Sequence, residues 1–61
     1  MLNLLTVEEA AKELKISIHT VRAWSSQRRF PTLKLGRRVL LRREDIEAFV
    51  NKNVIEAKDQ G

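Results

Sequence analysis

The 61-residue sequence predicts a mainly α fold with one small β-hairpin: two short helices joined by a tight turn, a two-stranded wing and a third helix. Three observations predict it. Apolar residues recur at helical spacing in three stretches, they alternate with polar ones around Gly36, and the breaker and capping residues fall between those stretches. A chain this short buries only roughly 60% of the surface its unfolded form exposes. It has no cysteine, so its apolar residues, 43% of the chain, must hold it together unaided. One domain over residues 1–52 and a polar tail over 53–61 are expected.

Thr6 followed by Glu9 forms a capping box, in which the hydroxyl accepts from the backbone N–H of residue 9 and the carboxylate reaches back to residue 6. Val7, Ala10, Ala11 and Leu14 then make one apolar stripe, so a first helix covers about 7–14. Lys15-Ile16 breaks the pattern. Ser17 is a second N-cap, and Ile18, Val21 and Trp24 face one side of a helix over roughly 18–27. So short a connection forces the helices into an angled pair, the geometry of a helix-turn-helix. Neither helix is long enough to hold without the other.

Phe30-Pro31 ends the second helix, because proline disfavours helical backbone in the residue before it. Leu33 and Leu35 alternate with Thr32 and Lys34, Gly36 turns the chain, and Val39 and Leu41 alternate with Arg38 and Arg42. The pattern predicts a two-stranded hairpin, which is marginal alone and must lay its apolar face on the helices. A third helix begins near Arg43, with Glu44 and Asp45 where the helix dipole favours anions, and Ile46, Phe49 and Val50 as its stripe. It ends by about Lys52; beyond it the tail is read either as more helix or as disordered chain.

The net charge of +4 is less informative than its placement. Residues 15–43 hold nine cations (Lys15, Arg22, Arg28, Arg29, Lys34, Arg37, Arg38, Arg42, Arg43) and no acid, whereas residues 1–14 sum to −2 and 44–61 to −3. A solubilising face mixes signs. An acid-free run of 29 residues, in a chain with eight acids, implies a polyanionic partner. The apolar N-terminus lacks a basic lead-in and runs into Glu8 and Glu9, which argues against a signal peptide, and no stretch approaches membrane-spanning length. A cytoplasmic protein is expected. No enzyme is: there is no cysteine nucleophile, the single histidine has no evident carboxylate partner, and no glycine-rich phosphate loop occurs. No cofactor is implied.

With Ile18, Val21 and Trp24 turned inward, the second helix shows His19, Thr20, Ala23, Ser26 and Gln27, with Arg22 on its flank. A dimerisation or membrane helix would show large apolar groups there. Small and hydrogen-bonding residues suit a major groove about 12 Å wide. Arg22 reads as a phosphate clamp or guanine reader, Gln27 as an adenine reader and Ser26 as a phosphate donor, each set against ordinary exposure. His19, the only histidine, is read as a DNA contact or a plain exposed residue ahead of a metal ligand. The register of Trp24 favours core packing over base stacking. Lys34, Arg37 and Arg38 flank Gly36, so the arginines would project from the wing tip toward backbone phosphates or the minor groove. For Arg28 and Arg29, complementing the helix C-terminal dipole and binding phosphate are equally open.

The stretches Thr6-Val7-Glu8-Glu9-Ala10-Ala11, Ile16-Ser17-Ile18-His19-Thr20-Val21-Arg22, Lys34-Leu35-Gly36-Arg37-Arg38 and Arg43-Glu44-Asp45-Ile46-Glu47-Ala48-Phe49 resemble the excisionase-type, MerR-like winged helix-turn-helix domains over about residues 4–51. The resemblance implies that Ser17, Thr20, Arg22, Arg37 and Arg38 sit at DNA-contacting positions. It departs at Lys15, where the family commonly has glycine in the turn; a left-handed lysine there would cost on the order of 1 kcal/mol. Because the sequence stops soon after its third helix, effector sensing of the MerR kind is not expected. The resemblance then implies an architectural factor of excisionase type in a prokaryotic or phage setting. Such a factor binds double-stranded DNA at adjacent sites, together with neighbouring protomers, and works with an integrase in excising a mobile element. A small MerR-like transcriptional regulator is the alternative, and a protein-interaction module without DNA binding is a third class.

Overall fold

A computed structural model of the chain describes residues 3–55, in the order β1 (Leu4–Thr6), α1 (Val7–Leu14), α2 (Ile18–Ser26), β2 (Leu33–Leu35), β3 (Arg38–Arg42) and α3 (Arg43–Lys52). The helices and the hairpin lie where the apolar periodicity predicts them, and one strand is new. β1 pairs antiparallel with β3 (Leu4 with Arg42, Leu5 with Leu41, Thr6 with Leu40), while β2 pairs with its other edge, giving the order β1-β3-β2. The expected two-stranded hairpin is therefore two-thirds of a three-stranded sheet. A third strand is what a marginal hairpin needs, and the Arg43 N–H donates to the Asn3 carbonyl at 2.9 Å just beyond the last pair.

The register also divides the hairpin's apolar residues. Leu33 stands opposite Leu40 and Leu35 opposite Arg38, so these share one face of the sheet, while Val39 and Leu41 belong to the other. Only Leu41 is fully buried; Leu35 and Val39 are exposed. The hairpin does not lay one continuous apolar face on the helices, because opposed residues across an antiparallel pair must point the same way.

Leu41 and Leu5, opposed across β1–β3, pack with Val7, Ala10 and Ala11 of α1, Val21 of α2, Phe30 and Ile46 of α3 to form the core. Leu14, Ile16, Trp24 and Phe49 close its margin. Trp24 is half-buried and packs against the core, the role its register favours: its ring lies 5.3 Å from that of Phe49, which meets Phe30 edge-on at 5.1 Å. Ile18 departs from expectation, being 39% exposed. It is the first residue of α2, and helical side chains lean toward the N-terminus, where no further turn covers it.

Local chemistry sets the helix ends. The Thr6 hydroxyl accepts from Glu9 N–H at 3.0 Å and the Glu9 carboxylate from Thr6 N–H at 2.8 Å, completing the capping box. α1 closes through paired bonds, Ile16 N–H to the Ala11 carbonyl (3.1 Å) and Lys15 N–H to that of Lys12 (3.3 Å), around a left-handed Lys15 at φ 60°. α2 closes the same way: Arg29 N–H donates to the Trp24 carbonyl (3.0 Å) and Arg28 N–H to that of Ser25 (3.1 Å), around a left-handed Arg28 at φ 58°. Both are Schellman closures with a cation where glycine is usual. The helix stops at Ser26, one residue short of the expected 27.

α3 is anchored by ion pairs. Arg42 grips the Asp45 carboxylate with two bonds, Nε to Oδ2 at 2.6 Å and Nη2 to Oδ1 at 3.0 Å, and Arg43 reaches Glu13 of α1 with two more, at 2.7 and 2.9 Å. The hydrogen bond from Arg43, followed by its charge, holds the Glu13 carboxyl below its ordinary value against an opposing partial desolvation. Past Lys52 the helix does not continue. Asn53 Nδ2 donates to the Phe49 carbonyl at 2.8 Å and Val54 and Ile55 lie exposed, while the rest of the tail falls outside the described residues.

Candidate nucleic-acid interface

α2 presents its outward face because Val21 is fully buried and Trp24 packs at the core margin. His19, Arg22, Ala23, Ser26 and Gln27 are exposed and Thr20 is half-buried. Its start is fixed by hydroxyls: Ser17 Oγ accepts from Thr20 N–H at 3.1 Å and lies 2.9 Å from Thr20 Oγ1. Ser17 and Thr20, assigned to DNA by resemblance, thus bond to each other in the free protein and cap the helix.

The wing tip is a two-residue turn, Gly36-Arg37, between the paired Leu35 and Arg38. Gly36 has φ 61° at the first turn position, where a type II′ turn requires glycine. The tip and α2 border one open cleft of about 490 Å³, lined among others by Thr6, Glu8, Arg22, Ser26, Arg37 and Arg38. Four of the sequence-predicted contacts, Arg22 and Ser26 from α2 with Arg37 and Arg38 from the wing, share this cleft.

The remaining predicted contacts lie elsewhere. Arg28 and Arg29 border a separate shallow surface with Phe30, Pro31 and Thr32. Arg29 is engaged from two sides, its Nε donating to Gln27 Oε1 at 2.7 Å and its guanidinium lying 5.8 Å from the centre of the Trp24 ring. Gln27, read as an outward base reader on the second helix, follows the helix end and has its carbonyl oxygen occupied by Arg29. Lys34 is exposed on β2, opposite Val39.

The nine cations of the acid-free segment are not equivalent. Arg42 and Arg43 are each held by a carboxylate through two hydrogen bonds, which also raise both guanidinium values, and they serve the fold. Arg22 is loosely paired, its Nη2 lying 3.5 Å from Glu8 Oε2. Among the described residues, Lys15, Arg28, Arg29, Lys34, Arg37 and Arg38 have no carboxylate within salt-bridge range. The spacing of Arg42 and Asp45 could have revealed their pairing, since residues three apart at a helix start are neighbours. Glu13 and Arg43 are thirty apart and carry no local signal. Neither do Glu8 and Arg22.

Two angled helices, the second with a small polar outward face, and a basic hairpin beside it define the winged helix-turn-helix class of double-stranded DNA-binding domains. The chain belongs to the excisionase-like family of helix-turn-helix domains, whose sequence profile matches residues 4–54. No curated protein and no solved structure matches it significantly. Among the described residues no helix is long and apolar enough to cross a membrane, and no three His, Cys, Asp or Glu side chains gather as a metal site would require.

Proposed function

We propose that the protein binds duplex DNA sequence-specifically, with α2 in the major groove and the wing on adjacent phosphates or the minor groove. In this reading it is an architectural factor of excisionase type, recruiting or redirecting an integrase during excision of a mobile element. The observation that carries the DNA reading is the shared cleft: Arg22 and Ser26 of α2 face Arg37 and Arg38 of the wing across a gap open to solvent. Phosphate contacts position such a domain and base-edge contacts specify it. Arg37 and Arg38 supply the first kind, and Arg22, with His19 and Ala23 beside it, supplies the second. Arg28, Arg29 and Lys34 add phosphate contacts at the periphery. The excisionase role rests on the family alone.

Binding to a random-sequence duplex over a salt series tests the first part. Log affinity should fall by about 0.9 per phosphate contacted for each unit of log salt. With Arg42 and Arg43 committed to carboxylates, seven of the nine cations in the acid-free segment remain, and contacts from that segment should give a slope no larger than about 6 in magnitude. Arg22→Ala should cost roughly 1–3 kcal/mol on a selected site and relax its specificity, whereas removing Arg37 and Arg38 together should weaken all sequences alike and flatten the slope. A salt-insensitive affinity would overturn DNA binding in favour of a protein-interaction module. Excision that proceeds equally well without the protein would overturn the excisionase role and leave transcriptional regulation.

A further inference from the structure

Among the described residues, the cleft between α2 and the wing is lined by three arginines and a single acid, Glu8. That carboxylate lies 3.5 Å from Arg22, with both side chains well exposed, at 59% and 65%. Exposed pairs at this distance are weak and exchange readily. Arg42–Asp45 and Arg43–Glu13 are each closed by two short hydrogen bonds and fasten α3, whereas Glu8 and Arg22 bridge α1 and α2 by one loose contact. Glu8 takes no part in the capping box, which Thr6 and Glu9 complete, and its contribution to the helix start is its first-turn charge alone.

We propose that Glu8 is a specificity-determining residue: an internal anion that holds Arg22 while the protein rests on non-specific duplex, and releases it only when α2 seats fully in its site. The inference rests on the DNA-binding reading above. A carboxylate and a phosphodiester both accept from the same guanidinium donors, so each displaces the other. Non-specific binding draws essentially all of its strength from phosphate contacts. Cancelling one arginine until base contacts form therefore weakens the non-specific complex more than the specific one. Arg37 and Arg38, without a carboxylate in salt-bridge range among the described residues, remain available for the first encounter.

The test measures binding of the full chain to a random-sequence duplex and to a duplex selected by the wild type, over a salt series, for wild type, Glu8→Gln, Arg22→Ala and the double variant. Glu8→Gln should tighten the random duplex by up to about fivefold, the most an exposed pair can withhold, and steepen its salt slope by at most about 0.9, the signature of one added phosphate contact. The selected site should gain no more than about twofold, so that discrimination falls. In the Arg22→Ala background the gain from Glu8→Gln should largely vanish. Glu8→Asp keeps the charge and the favourable helix dipole but shortens the reach by one methylene, and should move in the same direction, which separates pairing from helix stability.

Equal gains on both duplexes would overturn the proposal, as would a gain that persists without Arg22; either result means simple repulsion between Glu8 and DNA. Weaker or unchanged binding by Glu8→Gln would overturn it too, marking Glu8 as a support for Arg22 or as irrelevant to it. Wild-type protein that binds neither duplex would overturn the DNA-binding reading as well, and that outcome is seen before any variant is compared.

Discussion

Glycine in place of Lys15 or Arg28 tests whether the two left-handed closures are strained, and whether Arg28 is retained there for binding. Both residues sit at φ near 60° and both are exposed, so glycine changes chiefly the backbone. Left-handed helical backbone costs an L-residue roughly 1–2 kcal/mol. Glycine removes that cost but gives the unfolded chain extra freedom worth about 0.4–1 kcal/mol. The net gain should be about 0.5–1 kcal/mol per site, or about 2–8 °C in Tm for a domain of this size. The two turns share no hydrogen bond, so their gains should add. Asparagine, which tolerates this backbone without glycine's freedom, should stabilise as well. Thermal and urea unfolding followed by circular dichroism would measure the gain. Arg28→Gly should at the same time lower affinity for duplex DNA and reduce the salt slope by about 0.9. Loss of stability in both glycine variants, with an unchanged denaturant m-value, would refute the strain argument. Unchanged affinity and slope in Arg28→Gly would remove Arg28 from the DNA interface.

Three further outcomes are expected. Gly36→Ala should cost about 1 kcal/mol through backbone conformation alone, since an added Cβ meets nothing within 4 Å, and a D-alanine placed there by synthesis should be tolerated; unfolding curves of the two variants check this. Leu41→Ala, at a fully buried position opposite Leu5, should cost about 2–5 kcal/mol. A core this size supplies no more than about 3–5 kcal/mol, so most of the helical signal should be lost at room temperature. Glu13 has a depressed carboxyl value, so its pair with Arg43 contributes stability fully above the ordinary carboxylate range and loses it as pH falls through the depressed value. A Glu13→Gln variant should be less stable than wild type at neutral pH, and the difference should close in acid, as urea midpoints at several pH values would show.

The local grammar of this chain was legible because it is written in neighbours. Thr6 and Glu9, Ser17 before Ile18, Phe30-Pro31 and Gly36 each act through backbone within a few residues, so helix starts, helix stops and the wing turn follow from the sequence. The acid-free segment and the outward face of α2 were legible for the same reason, since charge density and helical register are one-dimensional properties.

What tertiary structure alone decided are the long-range pairings. Leu4–Thr6 is too short to show a period, and it became a strand only because β3 offered an edge. The strand register sent Leu35 and Val39 to opposite faces, and the packing left Ile18 exposed at the end of its helix. Of nine cations that look alike in sequence, folding committed Arg42 and Arg43 to carboxylates, brought Arg22 beside Glu8, and left Arg37 and Arg38 lining the same cleft with no carboxylate partner among the described residues. Charge is carried by the residue, but its availability depends on which opposite charge the fold brings within a few ångströms.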